Sequence, residues 1–235
     1  MIPPKPRPAK LESEMLPESQ WGSTLTPGST AILCDLGMVM VDFNRERFPN
    51  RFEEVLERPF PKKCVADLDD VRKGFESGAL SEEEFSSELL RLLQLSPKHL
   101  PTLRELWPCI FTPVPETIAL LRGALAQPNT TLVVVSDTDP WRERACAVDF
   151  GLEDLMAEAV CSHQQDVRPK WEDASMWLKA RKIAEAHLDN AVEIVIAIDD
   201  QKLHCERALQ CGAATHAHLH TTPESLRDFF LQLNR

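Results

Sequence analysis

Three short apolar runs, each ending in a polar group, constrain the fold of this 235-residue chain more than any other feature. The runs cover residues 31–36, 131–136 and 193–200. A continuous apolar run of this length is typical of a strand that is buried on both faces of a parallel sheet. Helical patterns separate the runs, so we expect an α/β protein with a doubly wound parallel sheet and right-handed crossovers.

Shorter patterns predict the remaining elements around this sheet. Helices are predicted at residues 114–126, 174–186, 203–210 and 223–233, and short strands at residues 159–162 and 214–219. Open parallel sheets place their functional groups at the carboxyl ends of the strands. The polar residues that end the three apolar runs are therefore the first candidates for a site.

The chain between the first run and the helix at 114–126 contains no convincing strand. Helices are predicted there at residues 45–57, 64–75, 81–93 and 97–106. The third begins with Ser81 and has Glu84 three residues later, which is the spacing of a capping box. An all-helical insertion at this point is expected to form a cap that closes the carboxyl edge of the sheet against water.

These patterns divide the chain into three parts. Residues 29–44 and 112–235 are expected to form the core, and residues 45–111 form the segment that we call the cap. Residues 1–28 are rich in Pro, Ser and Glu and have no periodicity, so they predict a disordered tail.

Charge and cysteine content exclude several classes of protein. The chain has 26 Lys and Arg against 37 Asp and Glu, a net charge of −11, which argues against a nucleic-acid partner. Its seven cysteines are scattered and form no C-x-x-C pair, so we expect reduced thiols and no disulfide framework. No apolar run approaches the ~18–20 residues that span a bilayer. We therefore predict a cytoplasmic protein without a membrane partner, either a monomer or a homodimer.

Five residues at or near strand ends carry the chemistry. They are Asp35, Ser136, Lys170, Asp199 and Asp200. Any one acid after a strand is often only the N-cap of a helix. The full set, in this order and with a helical insertion after the first member, is much more specific.

In these residues the chain resembles the haloacid dehalogenase (HAD) superfamily of hydrolases. The match lies in AILCDLGMVMVDFN at residues 31–44, VVVSDTDP at 133–140, VIAIDD at 195–200 and ERALQCGA at 206–213. The segment FESGALSEEEF at residues 75–85 is similar to the cap of the branch that includes glucose-1-phosphate phosphatases. The resemblance implies a Rossmann-like core with a small helical cap.

The resemblance also implies the roles of these residues. Asp35 would attack phosphorus to give an aspartyl-phosphate that water then hydrolyses. Ser136 would donate its hydroxyl to a phosphoryl oxygen, and Lys170 would neutralise charge. Mg²⁺, which prefers oxygen ligands, would be held by Asp35, the Gly37 carbonyl and Asp200, with Asp199 acting through a water.

The first departure from the family pattern is Gly37, which stands where most members have a second Asp. That Asp is the general acid for the leaving group, and general acid catalysis is worth about 10²–10⁴-fold. A good leaving group needs least help, which favours an anomeric phosphate such as a sugar 1-phosphate. Asp42 is a candidate substitute acid near the substrate, although a role at the cap hinge is the stronger interpretation.

Other departures concern Arg168, Lys170, Asp137 and His204. The usual Lys-Pro order is inverted in Arg168-Pro169-Lys170, so either cation is a candidate to face the phosphate, and we favour Lys170 because its ammonium is compact. Asp137 replaces the usual Asn beside the substrate, and His204 stands where an acid or amide usually follows the acid pair. These changes leave open a weakened or inactive enzyme.

His216, His218 and His220 alternate along a predicted strand and share one face. Their spacing does not match common metal sites, so an exposed strand end is a simpler interpretation than a metal site.

We therefore predict a Mg²⁺-dependent phosphatase that acts on a small phosphorylated metabolite. Two alternatives stay open: a catalytically impaired binding protein with the same fold, and a 2-haloacid dehalogenase. The second shares the Asp nucleophile but needs no metal, so the acids Asp199 and Asp200 argue against it.

Overall fold

The fold is described from a computed structural model that covers residues 29–189 and 192–233. The tail predicted at residues 1–28 lies outside the described residues. The strands are β1 (Thr30–Cys34), β2 (Val41–Phe43), β3 (Phe111–Pro113), β4 (Thr130–Ser136), β5 (Ala159–Cys161), β6 (Ile194–Asp199) and β7 (His216–Leu219). The helices are α1 (Arg47–Leu56), α2 (Val65–Glu76), α3 (Glu82–Leu92), α4 (Leu100–Leu106), α5 (Pro115–Leu125), α6 (Pro140–Arg144), α7 (Ser175–His187), α8 (Lys202–Gln210) and α9 (Pro223–Leu233).

The core is a five-stranded parallel sheet in the order β5-β4-β1-β6-β7. Strand β1 lies at its centre, with Cys34 opposite Val134 of β4 on one side and opposite Ile198 of β6 on the other. The order changes direction at β1, because the chain goes first to one side of this strand and later to the other. The sheet confirms the predicted doubly wound α/β class.

Helices cover both faces of the sheet, which is why its strands are apolar without alternation. On one face Ile32 and its neighbours pack against α5 and α9. On the other face Leu33 packs against α7, whose Trp177 is fully buried. Neither face is left to water, so both sets of alternate residues contribute to the core.

Two short strands within the described residues were not predicted. Strand β2 pairs antiparallel with β3, and Asp42 lies opposite Thr112. Each strand has three residues, and only Val41 of β2 is buried, so the apolar signal is too weak to show in the sequence. This two-stranded ribbon pairs the chain segments that enter and leave the cap.

The cap has its own aromatic core. The rings of Phe75 and Phe85 stack with centroids 4.0 Å apart, and Trp107 meets Phe85 edge-on at 5.0 Å. Trp141 from α6 of the core packs edge-on against Phe85 at 5.1 Å. Helix α6, which continues as a π-helix over residues 145–149, was also missed by the sequence patterns.

Buried polar contacts fix the cap to the core. The carboxylate of Glu76, at the end of α2, accepts a hydrogen bond from Arg142 of α6 at 2.7 Å. Asp139 caps α6 and accepts a hydrogen bond from the Trp107 indole at 2.9 Å. The Ser162 hydroxyl donates to the Glu76 carbonyl at 2.5 Å. All of these side chains are buried, so the contacts define one orientation of the cap.

Candidate active site

The carboxyl ends of three neighbouring strands bring polar residues together beside the cap. Asp35 directly follows β1, Ser136 ends β4 and Asp199 ends β6. Since β1 lies between β4 and β6, Asp35 is at the centre of this group. All three residues are buried.

Lys170 links two of these strand ends. Its Nζ lies 2.8 Å from Oδ2 of Asp35 and 2.7 Å from Oδ2 of Asp199. Two hydrogen bonds hold the backbone of Lys170. Its N–H donates to Asp137 Oδ1 at 2.8 Å, and its carbonyl accepts a hydrogen bond from the Arg207 guanidinium. The structure therefore gives Asp137, which replaces the family's usual Asn, a contact that positions Lys170.

Electrostatics in this group follow from burial and crowding. Burial raises the pKa of Asp35 to about 8, with a further contribution from Asp199, although Lys170 opposes it. Burial also acts to raise the pKa of Asp199, but Lys170 and His204 outweigh it, so that the pKa is lowered. For Lys170 the two carboxylates outweigh burial and raise the pKa, which keeps the ammonium charged.

His204 is a buried partner of the acid pair. Its Nδ1 lies 3.1 Å from Oδ1 of Asp199, and the Gln201 N–H donates to the same oxygen at 2.8 Å. Both oxygens of Asp199 are thus engaged by the protein. The other acid of the pair is Asp200. Burial and the nearby charge of Asp199 raise its pKa.

The carboxylates fit a divalent cation. Asp35, Asp199 and Asp200 each offer one oxygen within 4.8 Å of the other two. Three carboxylates with a single ammonium leave an excess of negative charge, in keeping with the raised pKa of Asp35. Carboxylate oxygens are the ligands that Mg²⁺ prefers in proteins. The donor set therefore suits a hard cation.

A second group of three metal-binding residue types was not anticipated. Glu143, Cys161 and His163 lie together near the end of β5. His163 Nε2 is 3.1 Å from Glu143 Oε2, so the group is accounted for by an ion pair when the imidazole is protonated. Cys161 and His163 are close in the chain, but Glu143 is distant from both, and the three form no motif that sequence reasoning could use.

Two of the predicted site residues lie apart from this group. Arg168 is exposed. Its guanidinium lies 4.0 Å from the carboxylates of Glu172 and Asp173, which are both on the surface. Asp42 is exposed on β2 and does not line the cleft between the sheet and the cap. The inverted order of Arg168 and Lys170 is thus resolved by the fold in favour of Lys170 as the cation beside Asp35.

The three alternating histidines are not a simple exposed strand end. His216 is exposed, whereas His218 and His220 are buried. The ring of His218 packs 4.9 Å from that of Phe229 in α9. Within residues 29–189 and 192–233, these histidines form no group of three converging ligand atoms.

A cleft of 1180 Å³ runs from the strand ends to the cap. Ser136 and Asp137 line its floor together with Gly37, where an added Cβ would meet no heavy atom within 4 Å. Trp171, the residue after Lys170, also lines the cleft and is partly exposed. The cap contributes cationic residues, among them Lys62 and Lys63, for which the sequence offered no functional signal.

No helix among the described residues has both the length and the apolar character that crossing a bilayer requires.

No protein-family model and no curated protein matches the sequence. Solved structures do match the fold. A HAD family enzyme from Bacteroides thetaiotaomicron aligns over 86% of this chain and 98% of its own, at 18% identity and a TM-score of 0.64. A predicted HAD-like hydrolase from Porphyromonas gingivalis aligns over 81% and 90%, at 20% identity and a TM-score of 0.59.

A dehalogenase also shares the fold. The L-2-haloacid dehalogenase from Xanthobacter autotrophicus aligns over 84% of this chain and 80% of its own, at 13% identity and a TM-score of 0.50. These likenesses confirm the fold that the sequence motifs implied. They do not single out the glucose-1-phosphate phosphatase branch, which stays a prediction.

Proposed function

We propose that this chain, which has the fold of the HAD enzymes, is a Mg²⁺-dependent phosphatase that works through an aspartyl-phosphate on Asp35. The observation that carries the proposal is the position of Lys170, whose ammonium joins Asp35 to Asp199 at the carboxyl edge of the sheet. A carboxylate that attacks a phosphate needs positive charge beside it, and this arrangement supplies one fixed charge and a place for a second.

Asp35, Asp200 and the Gly37 carbonyl are the groups that would hold Mg²⁺, with Asp199 acting through a water. When bound, the ion neutralises charge on the phosphoryl oxygens and lets two anions approach each other. A related observation supports this assignment: the Bacteroides thetaiotaomicron HAD enzyme was crystallised with magnesium and inorganic phosphate. The acidic surroundings of Asp35 in the present chain are of the kind that such an ion requires.

Contacts to both carboxylate oxygens orient Asp35 for nucleophilic attack. Oδ1 accepts a hydrogen bond from the Leu36 N–H at 2.7 Å, and Oδ2 contacts Lys170. One oxygen forms the new bond to phosphorus while the ester oxygen leaves with the electron pair of the broken bond. Water then attacks the aspartyl-phosphate, and the carboxylate of Asp35 is regenerated with release of inorganic phosphate.

Ser136 and Lys170 are assigned to the transferred phosphoryl group. Ser136 ends β4 next to β1 and lines the cleft, so its hydroxyl is available as a donor to a phosphoryl oxygen. Lys170 stays protonated because Asp35 and Asp199 raise its pKa. Together they stabilise the negative charge that is shared by the phosphoryl oxygens in the transition state.

Gly37 shapes the choice of substrate. It offers no proton to the leaving oxygen, and Asp42, the substitute considered from the sequence, is not in the cleft. The enzyme is therefore suited to a phosphate ester whose leaving group departs as a stable anion. Sugar 1-phosphates are the class that the sequence favours, and other esters with good leaving groups satisfy the same requirement.

The test is hydrolysis of 4-nitrophenyl phosphate with Mg²⁺ or with EDTA. Wild-type protein should turn over the ester only with Mg²⁺, and Asp35→Asn should lose at least about 10³-fold in kcat because the nucleophile is gone. Asp228→Asn, on the exposed side of α9, is the matched control and should retain activity.

Four outcomes would contradict the proposal. Turnover in EDTA, or turnover that survives Asp35→Asn, removes the proposed mechanism. No turnover, together with no stabilisation by beryllofluoride and Mg²⁺, identifies a binding protein that lacks catalysis. Chloride release from 2-chloropropionate in EDTA would instead identify a dehalogenase.

A further inference from the structure

Aromatic and aliphatic side chains form much of the wall of the cleft. Trp107, Phe111 and Phe60 line it from the cap, and Trp171 lines it from the core. Trp107 and Phe60 are buried, whereas Trp171 and Phe43, which also lines the cleft, are 43% and 39% exposed and present aromatic surface to a ligand. A ligand that fills this space replaces water on aromatic surface, which favours an apolar or aromatic organic part.

A hexose does not match these walls. Its hydroxyl groups lose water on binding and need hydrogen-bond partners in return. An aryl group needs no such partners, and a phenolate is a better leaving group than an alkoxide. An aryl ester thus also meets the requirement set by Gly37, which offers no general acid.

The charge of the cleft differs from that of the whole chain. Apart from the acids at the strand ends, six cationic side chains and three carboxylates line it, although the net charge of the protein is −11. Three of the six are committed to the protein itself: Arg72 and Lys73 pair with Asp69, and Arg142 pairs with Glu76. The remaining three are Arg45, Lys62 and Lys63, all on the cap.

Those three cations lack an anionic partner in the part of the chain that the structure describes. Among residues 29–189 and 192–233, no carboxylate lies within 4.0 Å of Arg45, Lys62 or Lys63 in an ion pair. Arg45 instead lies 5.8 Å from the ring centroid of Phe43, which also lines the cleft. Three such cations on the cap side of an acidic protein form a place for a second anionic group.

We propose that the substrate is an aryl phosphate that carries a second anionic group, which Lys62, Lys63 and Arg45 of the cap bind while the phosphate lies at Asp35 and Ser136. The placement of the phosphate end of this substrate rests on the proposed phosphatase activity. The aromatic walls of the cleft hold the ring between the two charged ends. The cap thus selects the substrate by charge and the core performs the chemistry.

The test compares two esters that share one ring. They are 2-naphthyl phosphate and 6-carboxy-2-naphthyl phosphate, assayed with Mg²⁺ in low salt. The carboxylated ester should have a kcat/KM that is roughly tenfold higher, since two or three partly exposed ion pairs give about that much. The ratio should fall toward one as salt screens the cations.

Variants assign the effect to the cap. The double variant Lys62→Ala, Lys63→Ala should bring the ratio of the two kcat/KM values close to one. Lys98→Ala is the matched control: this cap lysine does not line the cleft, and its removal should preserve the ratio. A ratio that the double variant leaves unchanged overturns the assignment to these lysines.

A binding experiment separates this inference from the phosphatase activity. Calorimetry with 2-naphthyl phosphonate and 6-carboxy-2-naphthyl phosphonate, which cannot be hydrolysed, should show the same tenfold preference. Preference without turnover of either ester supports the second-anion site and contradicts the phosphatase. Equal hydrolysis and equal affinity for both rings support the phosphatase and overturn the second-anion site.

Discussion

The ammonium of Lys170 balances two buried carboxylates at once. Removing such charges from water costs several kcal/mol per ion, and close contacts with opposite charges offset that cost. Lys170 is 1% exposed, lies within 2.8 Å of Asp35 and Asp199, and has the Trp177 ring centroid at 5.6 Å. These contacts hold the ammonium directly beside Asp35, the proposed nucleophile.

Gly37 offers a direct test of the missing general acid. Its backbone is outside the left-handed region and no heavy atom lies within 4 Å of an added Cβ, so Gly37→Asp should fold normally. We expect kcat/KM for hexyl phosphate, an ester with a poor leaving group, to rise about tenfold or more. For 4-nitrophenyl phosphate the change should be small, because that leaving group needs no proton. Steady-state kinetics on the two esters measures both effects.

Gly37→Asn is the matched control for that experiment. Its side chain has the shape of Asp but carries no acidic proton, so hexyl phosphate hydrolysis should stay at the wild-type level. Equal gains for the Asp and Asn variants would show that space or polarity matters, and not proton donation.

His218 should make the stability of the protein depend on pH. Burial, with a smaller contribution from His220, lowers the pKa of His218 to about 4, whereas an unfolded chain has a His pKa of about 6.5. The folded state therefore binds this proton less well, so its contribution to stability is present above pH 6.5 and is lost as the pH falls toward 4. Urea unfolding at pH 7.5 and pH 5 should show a smaller loss of stability for His218→Gln than for wild type.

His216→Gln provides the comparison on the same strand. His216 is exposed, so this variant should keep the pH dependence of the wild type. If His218→Gln loses as much stability on acidification as wild type does, the buried imidazole is not the cause.

At the scale of elements, the junction between α2 and α6 decides how the cap sits on the sheet. Glu76 is buried between the guanidinium groups of Arg72 and Arg142. Glu76→Gln keeps the size of the side chain and removes its charge, so it should lower the free energy of unfolding by about 2 kcal/mol. The measurement is urea unfolding at neutral pH.

Glu88→Gln is the control for the junction, since it removes the same type of charge from a solvated pair with Arg91 on α3. Exposed pairs contribute little, so the free energy of unfolding should hardly change. Equal effects of the two variants would mean that the Glu76 network does not stabilise the docked cap.

For the whole molecule, the carboxylates gathered at the strand ends set the order in which Mg²⁺ and phosphate bind. Inorganic phosphate faces Asp35, Asp137, Asp199 and Asp200 unless a cation reverses the local sign. Thermal unfolding should show no stabilisation by phosphate in EDTA, whereas Mg²⁺ and phosphate together should raise Tm by about 5 °C or more near saturation.

Asp200→Asn should abolish that combined shift, and Asp228→Asn, far from the site on α9, should retain it. Stabilisation by phosphate alone, as large as that with Mg²⁺, would show that Lys170 suffices and that no cation is required.

Much of the core was predictable because its signals are local. Strands β1, β4 and β6 lie within one or two residues of their predicted limits, since each is a continuous apolar run. The capping box at Ser81 forms as its spacing predicted. The ribbon of β2 and β3 was not predictable, because its two strands are short, polar on one side and paired across the whole cap.

The sequence by itself determined the parallel sheet, the order of its acids and the insertion of helices after β1, because these depend on hydrophobic patterns within single elements. Only the tertiary structure decided that Lys170 and not Arg168 meets Asp35, and that Asp42 stays outside the cleft. The tertiary structure alone also placed the cations of the cap in the lining of the cleft that Ser136 and Asp137 line from the core. Such contacts join loops from distant parts of the chain, and their geometry is set by how helices and sheet pack and not by any local pattern.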